Sequence, residues 1–191
     1  MGDLRQNPHP FGQIPCLTDD DDNDDDVLVV FESGAILLYL HDRTKHTNGL
    51  SAKDAAAVLS WITWANASLD PICFLETPDG KVYDTGLKQP NKRLDTLNDR
   101  LAKQTYLVGE TFTLADVAVA SYLLYVLQFF PGVEVGTRWP HMKRYMKDCA
   151  SRTGYAQAFG ERVQANLLEQ LSKGETQTDS SSNNKKLFGM F

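Results

Sequence analysis

Apolar and polar positions change their period once along the chain, from two-residue spacing near the start to three- and four-residue spacing afterwards. Gln13 to Leu17 reads as a short strand with a proline at its entry. Val27 to Phe31 is a five-residue apolar, β-branched stretch and the best strand signal in the chain. The two predict a hairpin, with the intervening run of aspartates as its loop. From Glu32 to Leu40 the spacing turns helical, with Ala35, Ile36, Tyr39 and Leu40 expected on the buried face. His41 to Gly49 is polar and ends in Asn48-Gly49, which predicts a loop and a domain linker.

Everything beyond Ser51 reads as helical. Ser51 and Asp54 have the spacing of a capping box, and the following helix runs through Val58, Leu59 and Ile62 towards Pro71, which should end or kink it. Thr77 to Gly80 is a turn signal. A second helix, Asn91 to Gln104, places Leu94, Leu97 and Leu101 on one face. Thr113 and Asp116 form a second capping box, with Phe112 placed to staple onto Val117. The helix that begins at Leu114 is apolar nearly all round and should be the buried centre of a bundle. Trp139-Pro140 opens another helix, to about Ser151, and one last amphipathic helix is expected over roughly 156 to 172. Trp61, Trp64, Tyr122 and Tyr125 are read as core. The Ser/Asn/Thr-rich segment from Gly174 to Lys186 is expected to be disordered, and the apolar end Leu187 to Phe191 is either a docking peptide or without a role.

Composition changes this picture little. The chain has 191 residues, 42% hydrophobic and 23% charged, which is ordinary for a globular protein. Its net charge of −6 comes from seven aspartates between Asp19 and Asp26. Those carboxylates favour an extended, solvated loop, and the run lacks the glycine and distal glutamate of an EF-hand. No basic cluster suggests a nucleic-acid partner. Cys16, Cys73 and Cys149 are too few and too scattered for a disulfide framework, and neither they nor the four histidines form a metal motif. No run approaches the roughly 20 apolar residues of a membrane span, and Met1 to Pro10 has no signal-peptide pattern. A cytoplasmic protein without a metal is expected.

Three ordered segments carry a family resemblance. Asn7-Pro8-His9-Pro10-Phe11-Gly12-Gln13-Ile14-Pro15 resembles the Asn-Pro-x-Gly-x-Val/Ile-Pro segment of cytosolic glutathione transferases, with two extra residues before the phenylalanine. Phe31-Glu-Ser-Gly-Ala-Ile-Leu-Leu-Tyr-Leu40 resembles the family's Glu-Ser-x-Ala-Ile-x-x-Tyr-Leu. Leu107 to Asp116 resembles the signature of its helical domain, and Trp139 to Tyr155 its later helices.

The resemblance implies an α+β, mostly α architecture: part of a thioredoxin-like domain over 1–46, an all-helical domain over 47–173 and a tail over 174–191. It implies a cis Ile14–Pro15 bond, with the Ile14 backbone pairing with the cysteinyl part of glutathione as an added strand would. Gln13 would reach the glycyl side. Ser33 would donate to the γ-glutamyl carboxylate at a helix N-terminus, and Glu32 would pair with the amino group. Thr113 and Asp116 are expected to be structural caps.

Conjugation of glutathione to small electrophiles in detoxification, by a homodimer that uses glutathione as co-substrate and needs no other cofactor, is the function the resemblance implies. The strand and helix that supply the family's thiolate-stabilising residue normally precede the Asn-Pro segment, and only six residues do so here. The catalytic residue is therefore unassigned, and a truncated N-terminus is expected, leaving an exposed sheet edge. A non-catalytic assembly domain, as in the elongation factor 1 gamma subunit, is the alternative. A thiol-exchange protein would need an active cysteine that this sequence does not place.

Overall fold

A computed structural model describes residues 7–20, 27–43 and 51–173. Most of the aspartate run, the linker after Arg43 with the expected boundary at 46/47, and the tail from 174 lie outside the described residues. The solvated-loop, calcium and docking-peptide readings fall there too.

Two strands, β1 (Cys16–Asp19) and β2 (Leu28–Phe31), pair antiparallel with Cys16 opposite Phe31 and Asp19 opposite Leu28. The first begins three residues later than the sequence suggested, after Pro15, which has no N–H to donate to a ladder. The Ile14–Pro15 peptide is cis. Asp19 belongs to the strand, not to the expected solvated loop: its carboxylate accepts a hydrogen bond from the Tyr39 hydroxyl and pairs with Arg43 at 2.9 Å.

The segment before β1 is tied to itself. Asn7 donates from Nδ2 to the Gln13 carbonyl at 2.7 Å and accepts from the His9 N–H at 3.0 Å. His9, one of the two extra residues of the Asn-Pro segment, is buried with its ring edge-on to Phe31 at 5.0 Å. It also accepts from the Phe11 N–H at Nδ1. The insertion thus packs as a plug on the hairpin.

Helix α1 (Ser33–Arg43) follows β2 directly. Its inner face is Gly34, Leu37 and Leu38, whereas Ala35 and Leu40 are exposed. The sequence expectation was one position out of phase, because β1 and β2 cover one side of the helix and the bundle another. Gly34 sits so close to the next helix that a β-carbon there would lie 2.6 Å from Ile62 Cγ2.

The bundle begins with α2 (Ala52–Trp64), capped by Ser51, whose Oγ accepts from the Asp54 N–H at 3.1 Å. Pro71 does not end this helix. A π-helical turn over Ala65–Leu69 carries the chain into α3 (Asp70–Cys73), with the Asp70 N–H bonded to the Ala65 carbonyl. Widening the turn removes the clash between a proline ring and the carbonyl four residues back. A small hairpin, β3 (Leu75–Glu76) and β4 (Val82–Asp84), then interrupts what the sequence suggested was all helix. It closes through the expected turn, in which the Gly80 N–H bonds to the Thr77 carbonyl.

Helix α4 (Lys92–Leu101) buries Leu94, Leu97 and Leu101, and its Asn98 side chain accepts from the N–H groups of His141 and Met142. Those are the first free donors of α6 (Pro140–Ala150), so one helix caps another. Helix α5 (Leu114–Phe129) is the buried centre, as its all-round apolar sequence requires. The expected last helix is two, α7 (Thr153–Phe159) and α8 (Glu161–Ser172), broken where Gly160 takes φ 90°. With α2 and α3 taken as one, the described residues form a bundle of six helices with a hairpin and helix against it. No described helix is long and apolar enough to cross a membrane.

Asp116 joins the start of α5 to the loop before it. Fully buried, it accepts from the Leu107 N–H at 2.9 Å and from Thr113 through the N–H at 2.8 Å and the hydroxyl at 3.1 Å. Phe112 stacks edge-on to Tyr106 and lies under Arg152. Asp116→Ala strands buried donors worth roughly 1–3 kcal/mol each, so urea unfolding should show a loss of about 3 kcal/mol, and Asp116→Asn a smaller one. Gly34→Ala should cost about 1–3 kcal/mol by overpacking against Ile62, read in the same measurement.

Candidate functional site

An open cleft of about 630 Å³ lies between the hairpin unit and the bundle, lined by residues from both. Gln13, Ile14, Pro15, Glu32 and Ser33, all singled out in the sequence, border it. The segment Gln13–Pro15 stands before the strand ladder begins, and Ile14 is 78% exposed. The tip of α1 borders the same cleft. Glu32 provides the carbonyl that accepts the first helical bond, from Ile36 at 3.0 Å, and does so in the left-handed region at φ 68°. A non-glycine residue held there stores about 1–3 kcal/mol of strain, a feature that clusters at ligand sites. The turn is tight enough to put the Ser33 hydroxyl and the free N–H groups of α1 at the cleft wall.

The bundle contributes three polar residues that the sequence reading missed. Asn66 Nδ2 donates to Ser33 Oγ at 3.1 Å, and the Tyr122 hydroxyl donates to Asn66 Oδ1 at 3.4 Å. Asp70 completes the wall. A signal was available: Asn66 and Asp70 are four residues apart on a largely apolar helix, hence one polar stripe on one face. Tyr122, expected in the core, is half-buried on α5 and faces the cleft. Tyr125 packs against Phe129 and Phe159.

The charge of the wall is one-sided. Glu32 and Asp70 are carboxylates, and no lysine or arginine is among the described lining residues. Burial, with Glu76 nearby, raises the Asp70 carboxyl above its usual range. A ligand ammonium would meet carboxylates here. A ligand carboxylate would meet neutral donors, namely the Ser33 hydroxyl and the helix tip. Cys73 and Cys149 are buried thiols pushed up by that burial, and Cys16 sits in β1. Among the described residues no His/Cys/Asp/Glu group could hold a metal ion.

Two other surfaces adjoin. A cleft of about 360 Å³ shares Asp70 with the first and is lined by Pro71, Phe74, Leu75, Glu76 and Tyr83. Trp61 and Trp64 are half-buried, not core throughout. Their rings meet edge to face at 5.4 Å, and they line a groove with Arg93 and Arg100.

A thioredoxin-like hairpin and helix set against an all-helical bundle, with a cleft between them, defines the glutathione-transferase class of fold. The family model "Glutathione S-transferase, C-terminal domain" matches residues 39–153. Glutathione S-transferase 1 of Zea mays is 34% identical over 158 residues, covering 75% of this chain and 71% of that protein. The crystal structure of glutathione transferase F7 from Populus trichocarpa superposes with a TM-score of 0.63 at 28% identity, over 86% of this chain and 81% of that one. Elongation factor 1-gamma of Danio rerio is 27% identical over 80% of this chain but only 35% of its own length. The chain belongs to the glutathione S-transferase family.

Burial, then the charges of Asp70, Cys73 and Glu32, push the Tyr122 phenol from its ordinary 10.0 up to about 12. The neutral phenol is the favoured form in the fold. Its contribution to stability is therefore complete below pH 10 and is lost as the pH rises through about 12. Burial pushes the Tyr155 phenol up to about 12 as well, so ultraviolet titration of the native protein should show one tyrosine fewer ionising near pH 12 in Tyr122→Phe than in the wild type. An unchanged titration curve for the variant would contradict the assignment.

Proposed function

We propose that the cleft binds glutathione and that the protein acts in glutathione conjugation to small electrophiles. The observation that carries this is the convergence on one cleft of the Gln13–Pro15 backbone and the Ser33 helix tip, which lie 18 residues apart in sequence. The Ile14 backbone is the partner for the cysteinyl part of the tripeptide, as an added strand is for a sheet edge. The Gln13 amide serves the glycyl side. Ser33 and the α1 N-terminus receive the γ-glutamyl carboxylate, and Glu32, with Asp70 lining the same cleft, receives the ammonium. This pattern suits a zwitterionic γ-glutamyl group: the one-sided acidity of the wall favours its ammonium end, and helix donors its carboxylate.

The adjoining cleft, where Pro71, Phe74, Leu75 and Tyr83 share the wall with Asp70 and Glu76, would take the electrophile next to the thiol. Glutathione is then a co-substrate, not a resident cofactor, and the working form is a cytoplasmic homodimer. Thr113 and Asp116 keep the role of caps. The residue that stabilises the thiolate is left unassigned. Tyr122 directs its proton to Asn66, and Cys16 is in a strand.

Retention on immobilised glutathione, together with turnover of an aryl halide such as 1-chloro-2,4-dinitrobenzene, tests the proposal. Ser33→Ala should weaken glutathione binding about tenfold, the lower end for a hydrogen bond to a charged group. Binding unchanged in that variant would overturn the assignment of the cleft.

A second reading is favoured by the match to elongation factor 1-gamma: a transferase-like domain used for protein assembly. Absence of both retention and turnover would support it over the enzyme.

A further inference from the structure

Ser33 is held by a residue of another element, and the direction of that hydrogen bond has a chemical consequence. A serine hydroxyl has one hydrogen to give and two lone pairs to receive. Asn66 Nδ2 donates to Ser33 Oγ, so the contact occupies a lone pair and leaves the hydroxyl hydrogen available. If the amide were turned over, its oxygen would face Ser33 and take that hydrogen. At its other end the amide is engaged as well, with the Tyr122 hydroxyl donating to Asn66 Oδ1.

We infer that Asn66 is a positioning residue of the cleft: its amide, engaged at the other end by Tyr122, donates to Ser33 Oγ and so keeps the hydroxyl hydrogen free for the carboxylate of an incoming γ-glutamyl group. This rests on the reading of the cleft as a glutathione site.

Three structural facts converge on Asn66. It lies in the π-helical turn Ala65–Leu69, and such turns, rare in helices, occur frequently at functional sites. It faces α1 where Gly34 lets the two helices approach: a β-carbon at residue 34 would stand 3.6 Å from Asn66 Nδ2. Its contacts link α1, the π turn and α5, so the three hydrogen-bonded residues come from three elements. Helix packing alone would be served better by an apolar side chain at a half-buried position.

The test measures affinity in the full chain for two probes. One is glutathione. The other is 4-aminobutanoyl-cysteinyl-glycine, which keeps the ammonium and lacks the γ-glutamyl carboxylate. Asn66→Ala should weaken glutathione about tenfold and leave the second probe unchanged. Asn66→Asp should lose more, since its carboxylate would capture the Ser33 hydrogen and repel the ligand. Tyr122→Phe, which keeps the ring and its packing, should lose less in the same direction. In a Ser33→Ala background, Asn66→Ala should add nothing further.

Asn66→Ala binding glutathione like the wild type, or losing both probes equally, would overturn the assignment while leaving the cleft's function intact. A wild-type chain that binds no glutathione would overturn both.

Discussion

The seat of the cleft is a close approach of Gly34 to Ile62, where a β-carbon on the glycine would have no room. With only a hydrogen in place of a side chain, the first turn of α1 lies directly on α2. Ser33 then falls within hydrogen-bonding distance of Asn66, and the backbone before β1 borders the same cleft. A larger residue would separate the elements by the width of a methyl group, and directional hydrogen bonds do not stretch that far. The hairpin has only two strands, which is marginal as an independent sheet, so α1 and its seat on the bundle provide its main support.

The bundle in turn is organised around α5. A helix that is apolar all round has to be enclosed, and α2, α3, α6 and α8 pack around it. Its N-terminus would leave polar groups unsatisfied in that interior. Asp116 answers this by receiving donors from the preceding loop and from Thr113. The same helix delivers Tyr122 to the cleft half-way along its length, so a structural centre and a site wall are one element.

The described cleft wall combines two carboxylates with neutral donors and has no lysine or arginine. Its carboxylates, Glu32 and Asp70, suit an ammonium. For an anion it offers a helix tip and a hydroxyl, which attract more weakly than an arginine but only in particular directions. Hydroxyl orientation therefore matters here more than it would beside a fixed positive charge. The left-handed backbone of Glu32 is part of the same arrangement, since that turn is what aims the start of α1 into the cleft.

Much of this was legible in the sequence. The two strands, the Ser51, Thr113 and Asp116 caps, the apolar faces of α4 and α5 and the turn at Gly80 all follow from local periodicity and hydrogen-bonding chemistry. Residues 13–15 and 32–33 were recognisable as one group from motifs alone. What the tertiary structure decided is of another kind. Whether Pro71 breaks a helix or is absorbed by a π turn depends on what encloses that helix. Which face of α1 turns inward depends on the strands covering it, which is why Ala35 and Leu40 are outside and Gly34 inside. Asn66, Asp70 and Tyr122 join Ser33 across 33 to 89 positions of sequence. Local chemistry fixes what a short segment can do by itself, whereas a shared wall between distant segments is set only when packing brings their side chains together.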